Sequence, residues 1–362
     1  DDLHPDTVIS LVNTKALSLA ARANGARALG ISSAKYGNRY VWTDDEYLQS
    51  SSYSNAIQRH LSKPGSTPSE DIPLYPANLD TTLRHAGIDY SYRGALVKSV
   101  LRIYRESYVR LRTLASSVIR HHRWPDAREG YSYLGWLPSI IRRPRAFKHL
   151  IRHGYTPSDL TGKTIIYFPL HLEPEIALLS ASPEFNNSME LIAWVSKSLP
   201  ADGILVVKEQ PIAFGIRSIH YYNNLRRMPN VVLADPQIPS WEWIRTADVV
   251  VTITGSAGFE AVYFDRPVLS FGQHQVINHL PSVRYAHDFA STRLQLNDLL
   301  NNSLSSAVLQ HSKQALYRAM LDSSFELPGF EHTYETASAQ PGLALLAVEQ
   351  LTRFFPEAFP KA

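Results

Sequence analysis

The strongest constraint on the fold lies between residues 163 and 272, where continuous apolar runs alternate with helical patterns. Residues 163–170, 203–209, 230–235, 248–254 and 267–272 read as strands, apolar on both faces. Residues 187–199, 218–228, 240–247 and 257–264 read as the helices between them. Strands of this kind, joined by helices at this spacing, specify a parallel sheet covered on both sides. In such sheets ligands meet the loops beyond the carboxyl ends of the strands. Those loops carry PLHLEPE, KEQP, DPQIPS, TGSAGFE and FGQHQ, and any chemistry is expected there.

The first 155 residues are less regular. Residues 7–12 read as a strand, 15–24 as a helix and 27–32 as a second strand, one βαβ unit with Gly25 placed for a left-handed cap. A polar stretch from Thr43 to Ser69 and Pro64, Pro68, Pro73 and Pro76 interrupt it. The expected domains are residues 1–155, 156–335 and a closing segment 336–362, whose helix (342–355) has Pro341 at its start. The chain has 362 residues and no cysteine, which removes disulfides, thiolate metal sites and a cysteine nucleophile. No apolar run reaches the length needed to span a bilayer.

Charge is unevenly spread. From Arg93 to Arg152 there are 14 Lys/Arg against three acids. Lys98, Arg102, Arg105, Arg112 and Arg120 intersperse apolar residues at helical spacing, an amphipathic basic pattern suited to an anionic membrane surface. A solvated helix face is the plainer alternative. Nucleic acid is not expected as a partner, since the remainder of the chain is acidic.

Each loop suggests a role. In TGSAGFE, Thr254, Gly255, Ser256, Ala257 and Gly258 join a strand to a helix N-terminus, where amides and the helix dipole attract phosphate. Glu260 is placed to accept from ribose hydroxyls; packing of small residues is the competing explanation. In PLHLEPE, Glu173 and Glu175 flank Pro174 and offer a nucleophile or base with an electrostatic partner. The same pair would suit a first helical turn. His171 is a further candidate base. Lys208, Gln210 and Arg217 suit a phosphate or a sugar carboxylate. His274 and His279 follow the last strand, and no zinc spacing occurs.

Taken together, residues 167–175, 199–211, the FGIRS segment around Arg217, and residues 228–233, 247–261 and 266–272 resemble bacterial capsule and lipopolysaccharide polysaccharide-biosynthesis glycosyltransferases, including the β-Kdo transferases. The resemblance implies a GT-B-like α/β architecture of two Rossmann-like domains, the N-terminal one lacking upstream strands. It implies a nucleotide-sugar donor, CMP-linked in the Kdo branch; no metal or other cofactor is expected, because Lys208, Arg217 and the helix N-terminus can stabilise the leaving phosphate. The acceptor would be a lipid-linked glycan or oligosaccharide at the cytoplasmic face of the inner membrane. A retaining double displacement would place the acidic catalyst at Glu175, with Glu173 close behind, and Gln210 beside them among the catalytic residues. Ser256 and its neighbours would hold the phosphate, and Lys208 and Gln210 the donor. The family commonly has His-Pro where this chain has Gln210-Pro211, which opens two alternatives: a UDP- or GDP-linked donor, or a non-catalytic glycan- or membrane-binding subunit.

Overall fold

A computed structural model describes residues 6–10, 15–62, 136–173, 176–185, 187–327 and 349–350, with Ile72, Tyr108 and Arg112 as isolated positions. Most of the basic segment before Trp136, most of the helix expected at 342–355, and Glu175 lie outside the described residues. The described residues fall into two compact units. One comprises those within Asp1–Ala77, Glu173–Ala201 and Ile244–Ala362, and the other those within Asn78–Leu172 and Asp202–Trp243.

The first unit holds a four-stranded sheet in the order Thr7–Ser10, Arg27–Ser33, Arg39–Thr43, Phe325–Glu326. Strand β1 (Thr7–Ser10), helix α1 (Lys15–Ala23) and β2 (Arg27–Ser33) form the expected parallel βαβ turn, with Gly25 at φ 72°. Beyond it the sheet turns antiparallel. Strand β3 (Arg39–Thr43) pairs with β2, and helix α2 (Ser51–Ser62) follows. Both lie in or beside the stretch that reads as polar connection. Tyr40, Val41 and Trp42 are nevertheless buried, as are Tyr53, Ala56 and Ile57 of α2.

In the second unit, α3 (Trp136–His153) leads into the two-residue strand β4 (Gly154–Tyr155). Strands β5 (Thr164–Pro169), β6 (Gly203–Lys208) and β7 (Val231–Ala234) lie parallel in the order β5-β6-β7-β4. Ile165, Ile166, Tyr167 and Phe168 are at most 3% exposed, as strands covered on both faces require. Gly154 is required by close approach: a Cβ there would stand 2.6 Å from the Cα of Asp235.

In the first unit again, α4 (Ile176–Ala181) precedes α5 (Ser188–Ser198), whose N-cap Asn187 accepts from the Met189 amide. In the second, Ser218 caps α6 (Ile219–Arg226), and α7 (Ser240–Thr246) begins after β7. Strand β8 (Val249–Thr252), α8 (Ser256–Tyr263) and β9 (Val268–Ser270) continue the β–α alternation in the first unit, with β8 and β9 parallel. A further parallel strand, β10 (Val283–Tyr285), pairs with β9. Helices α9 (Phe289–Asn301) and α10 (Ser306–Ser323) follow, and β11 (Phe325–Glu326) pairs antiparallel with β3. The α/β class with parallel strands is therefore as the sequence indicates. The N-terminal sheet is mixed rather than purely parallel.

Candidate functional site

The turn TGSAG opens α8. Gly255 is its N-cap and offers no side chain, and the Gly255 amide donates to Thr252 Oγ1 at 3.1 Å. Gly258 N–H reaches back to the Gly255 carbonyl at 3.4 Å. The amides of Ser256 and Ala257, at the first two helical positions, have no intrahelical acceptor. They carry the partial positive charge of the helix end. Ser256 donates from its hydroxyl to Glu260 Oε1 at 2.8 Å, so Glu260, 7% exposed, serves the helix itself. Burial pushes the Glu260 carboxyl up, while the Ser256 hydroxyl and the Lys35 charge pull it back. Gly258 meets a different demand: a Cβ there would stand 2.7 Å from Ile277 Cδ1 and 2.8 Å from Thr252 Cγ2. Its smallness lets α8 pack, as the competing explanation for the turn required.

Thr254, at the end of the strand, lines a cleft of about 90 Å³ within the first unit. Lys35, Tyr47, Gln49, Tyr53 and His274 also line it, and no Asp or Glu does. The hydroxyls of Thr254 and Tyr53 are buried without a hydrogen-bond partner. Leaving a buried donor unmade costs on the order of 1–3 kcal/mol, so two around one cleft need a reason. Lys35 and Leu48, which also line the cleft, have φ of 59° and 61°. For residues with a Cβ that is a strained choice.

The loop between β3 and α2 is built to present its side chains. Asp45 Oδ1 accepts from the Tyr47 and Gln49 amides at 2.9 and 2.8 Å, and Asp44 Oδ1 accepts from the Ser51 amide at 2.9 Å. Tyr47 lies flat on His274, with ring centroids 3.7 Å apart and planes 10° apart. Gln49 Nε2 is 3.0 Å from His274 Nδ1. No periodicity in the sequence marks Lys35, Tyr47, Gln49 or Tyr53 for this place; only the fold brings them to the end of β8.

Other sequence-marked residues have different surroundings. Glu173 Oε1 accepts from the Ser188 amide at 2.9 Å and from the Ser188 hydroxyl, so it secures the first turn of α5. In the second unit, the Arg217 guanidinium bonds within the fold. Nη1 donates to both Glu209 oxygens at 2.9 Å, and Nη2 donates to the His171 carbonyl. Tyr222 and the Gln210 amide also donate to Glu209, each at 2.8 Å. Burial pushes the Glu209 carboxyl up against these donors, all of which favour the carboxylate. The expected phosphate contact at Arg217 is thus an internal ion pair. Lys208, 4% exposed, lies 3.4 Å from the Pro236 carbonyl. His171 is 3% exposed and Gln210 is half-buried.

Among the described residues no group of three or more His, Cys, Asp or Glu is placed to hold a metal ion, and no helix is long and apolar enough to cross a membrane.

Three solved structures are similar in outline. A beta Kdo 2,7 transferase, KpsC, from Thermosulfurimonas dismutans is 14% identical with a TM-score of 0.40, covering 85% of this chain and 73% of that one. A UDP-forming alpha,alpha-trehalose-phosphate synthase from Burkholderia vietnamiensis is 10% identical with a TM-score of 0.35, covering 51% and 48%. The spinosyn rhamnosyltransferase SpnG, complexed with thymidine diphosphate, is 13% identical with a TM-score of 0.32, covering 51% and 49%. Scores this low leave the fold to be read from the chain's own topology. Among curated proteins no match is found. A family profile described as capsule polysaccharide biosynthesis protein matches residues 98–310, more than half of the sequence. The chain belongs to the capsule polysaccharide biosynthesis protein family.

Proposed function

We propose that this chain is a glycosyltransferase that moves an activated sugar onto a capsule glycan, with the donor phosphate at the first turn of α8. The observation that carries this reading is the end of β8: orphan amides at Ser256 and Ala257, and a buried unpartnered Thr254 hydroxyl lining the adjoining cleft. Donors aimed where negative charge develops on a leaving phosphate stabilise the transition state more than the ground state.

The finer reading is a CMP-linked Kdo donor and a retaining reaction. The Glu175 carboxylate would attack the anomeric carbon as the bond to phosphate breaks, and the nucleotide leaves with the bonding electron pair. The acceptor hydroxyl would then displace Glu175 and lose its proton to a base. Glu173, tied to Ser188, would position the segment rather than react. Lys208 and Gln210 keep the donor-holding role that the family resemblance gives them. A lipid-linked or oligosaccharide acceptor at an anionic membrane surface completes the proposal, with no metal or other cofactor.

Incubation with CMP-, UDP- and GDP-sugars and mass spectrometry of the products tests this. Release of one nucleotide, unchanged by EDTA and lost in Glu175→Gln, is the expected result. Nucleotide binding without release of any sugar would favour the glycan-binding alternative, which the Gln210 departure motivates. Binding of no nucleotide would end the transferase reading and favour the non-catalytic glycan- or membrane-binding subunit.

A further inference from the structure

Backbone pairing between β5 and β6 continues past the strands to the Leu170 amide, which donates to the Lys208 carbonyl at 2.8 Å. Beyond that bond one chain segment leads to Glu175 and the other to Gln210, and side chains take over the pairing. After Gln210 the chain folds back. The Ala213 amide donates to the Gln210 carbonyl at 2.9 Å and the Ile216 amide to the Ala213 carbonyl at 3.0 Å, with Gly215 at φ 83°. A Cβ at Gly215 would stand 2.6 Å from the Arg143 amide nitrogen, so this turn requires glycine. The turn returns Arg217 to the strand ends. There Nη1 donates to both Glu209 oxygens and Nη2 to the His171 carbonyl, while Glu209 Oε1 also accepts from the Gln210 amide. One buried ion pair therefore holds a backbone group from each segment. Stability alone does not account for it, because such a pair adds little over apolar side chains of the same volume. A planar fork of donors does fix distance and direction together. The Tyr221 ring seats that fork, with the Arg217 Cζ 5.3 Å from its centroid.

We propose that Glu209 and Arg217 are positioning residues for the transfer. Through the His171 carbonyl, Arg217 sets where the segment leading to Glu175 leaves the sheet. Through the Gln210 amide, Glu209 does the same for the donor-holding segment. Both act by way of the backbone they hold. The inference rests on the proposed function, which makes Glu175 the nucleophile and Gln210 a donor contact, and it adds two residues which that reading leaves without a role. A misplacement of about 1 Å at a reacting group costs roughly a hundredfold in rate, and the His171 tie lies four residues before Glu175.

Three measurements on the whole chain test it: nucleotide release from CMP-, UDP- and GDP-sugars, the urea midpoint, and hydrogen exchange at Leu172 and Glu173. The proteins are wild type, Arg217→Met, the double variant Glu209→Gln/Arg217→Met, and Tyr222→Phe. The double variant removes both charges, so its midpoint should lie near wild type and above that of Arg217→Met. Its kcat should nevertheless stay about a hundredfold below wild type, as in Arg217→Met, with faster exchange at Leu172 and Glu173. Tyr222→Phe removes a bond to Glu209 but neither backbone tie, so it should lower the midpoint and keep kcat. A pair that only stabilises the fold gives a different result, which overturns the proposal: the double variant regains kcat along with its midpoint and exchanges as wild type does. If the double variant does not fold, Arg217→Lys, which keeps the charge without the fork, takes its place. Low kcat with fast exchange in that protein supports positioning, and wild-type values refute it. If wild type releases no nucleotide from any of the sugars, the proposed function fails, and exchange alone judges the positioning. Faster exchange at Leu172 and Glu173 in the double variant then upholds it, and unchanged exchange ends it.

Discussion

Arg217 Nη1 stands 2.9 Å from each carboxylate oxygen of Glu209, and the two side chains are 7% and 1% exposed. A buried pair of this kind contributes little over an apolar substitute, but removing one partner strands the other charge. Arg217→Met should therefore lose about 3–5 kcal/mol of stability in chemical denaturation. Glu209→Gln with Arg217→Met should recover much of that loss. An Arg217→Met protein with wild-type stability and weakened nucleotide binding would restore the ligand-contact role expected from sequence.

Gly258 separates packing from phosphate approach. Its missing Cβ would stand 2.7 Å from Ile277 Cδ1 and 2.8 Å from Thr252 Cγ2. Gly258→Ala should cost about 1–3 kcal/mol, as overpacking does, and Ile277→Val, which removes the Cδ1 atom, should partly rescue it. Differential scanning calorimetry reads this directly. Unchanged melting with lost nucleotide affinity would instead assign Gly258 to the ligand.

Glu260 supplies a pH dependence. Burial holds its folded pKa above the unfolded value of about 4.3, so the native state keeps a proton that the unfolded chain releases. Its contribution is fully present below the unfolded pKa and is lost as pH rises through the folded one. The slope in that window is negative, at most about 1.4 kcal/mol per pH unit. Glu260→Gln should flatten melting temperature against pH between the two values. Identical profiles for the two proteins would mean that Glu260 ionises as freely as in the unfolded chain.

Helix α3 provides the membrane test. Arg142, Arg145, Lys148 and Arg152 are exposed while Ala146, Phe147 and Leu150 are buried, which places four cations on one stripe. If the chain adheres to an anionic surface, Glu at all four positions should weaken cosedimentation with phosphatidylserine vesicles. Wild-type binding should itself fall as salt rises. Equal sedimentation of the two proteins would leave α3 as a solvated face.

Legibility from sequence followed the source of each element's stability. Strands β5 to β9 are apolar runs covered on both faces, and α5 and α6 are announced by Asn187 and Ser218 at their N-caps. Strands β4 and β11, two residues each, exist only through partners distant in the chain, β7 and β3. Helix α2 buries Tyr53, Ala56 and Ile57 amid polar residues, so its pattern is weak. At the candidate site, the strand-to-helix turn at Thr254–Gly258 was legible because small residues follow an apolar strand. The role of Arg217 was not, since an arginine eight residues from a glutamate reads alike as an anion contact or an ion pair. Tyr47 and His274 are far apart in sequence, and no local rule joins them.

Calorimetric titration of cytidine monophosphate against cytidine, on wild type and Thr254→Val, reads out whether the first turn of α8 holds a nucleotide's phosphate. The nucleotide should bind, the nucleoside should bind at least about tenfold more weakly, and Thr254→Val should narrow the gap. Equal affinity for nucleotide and nucleoside, or no binding of either, would contradict a phosphate site at that turn.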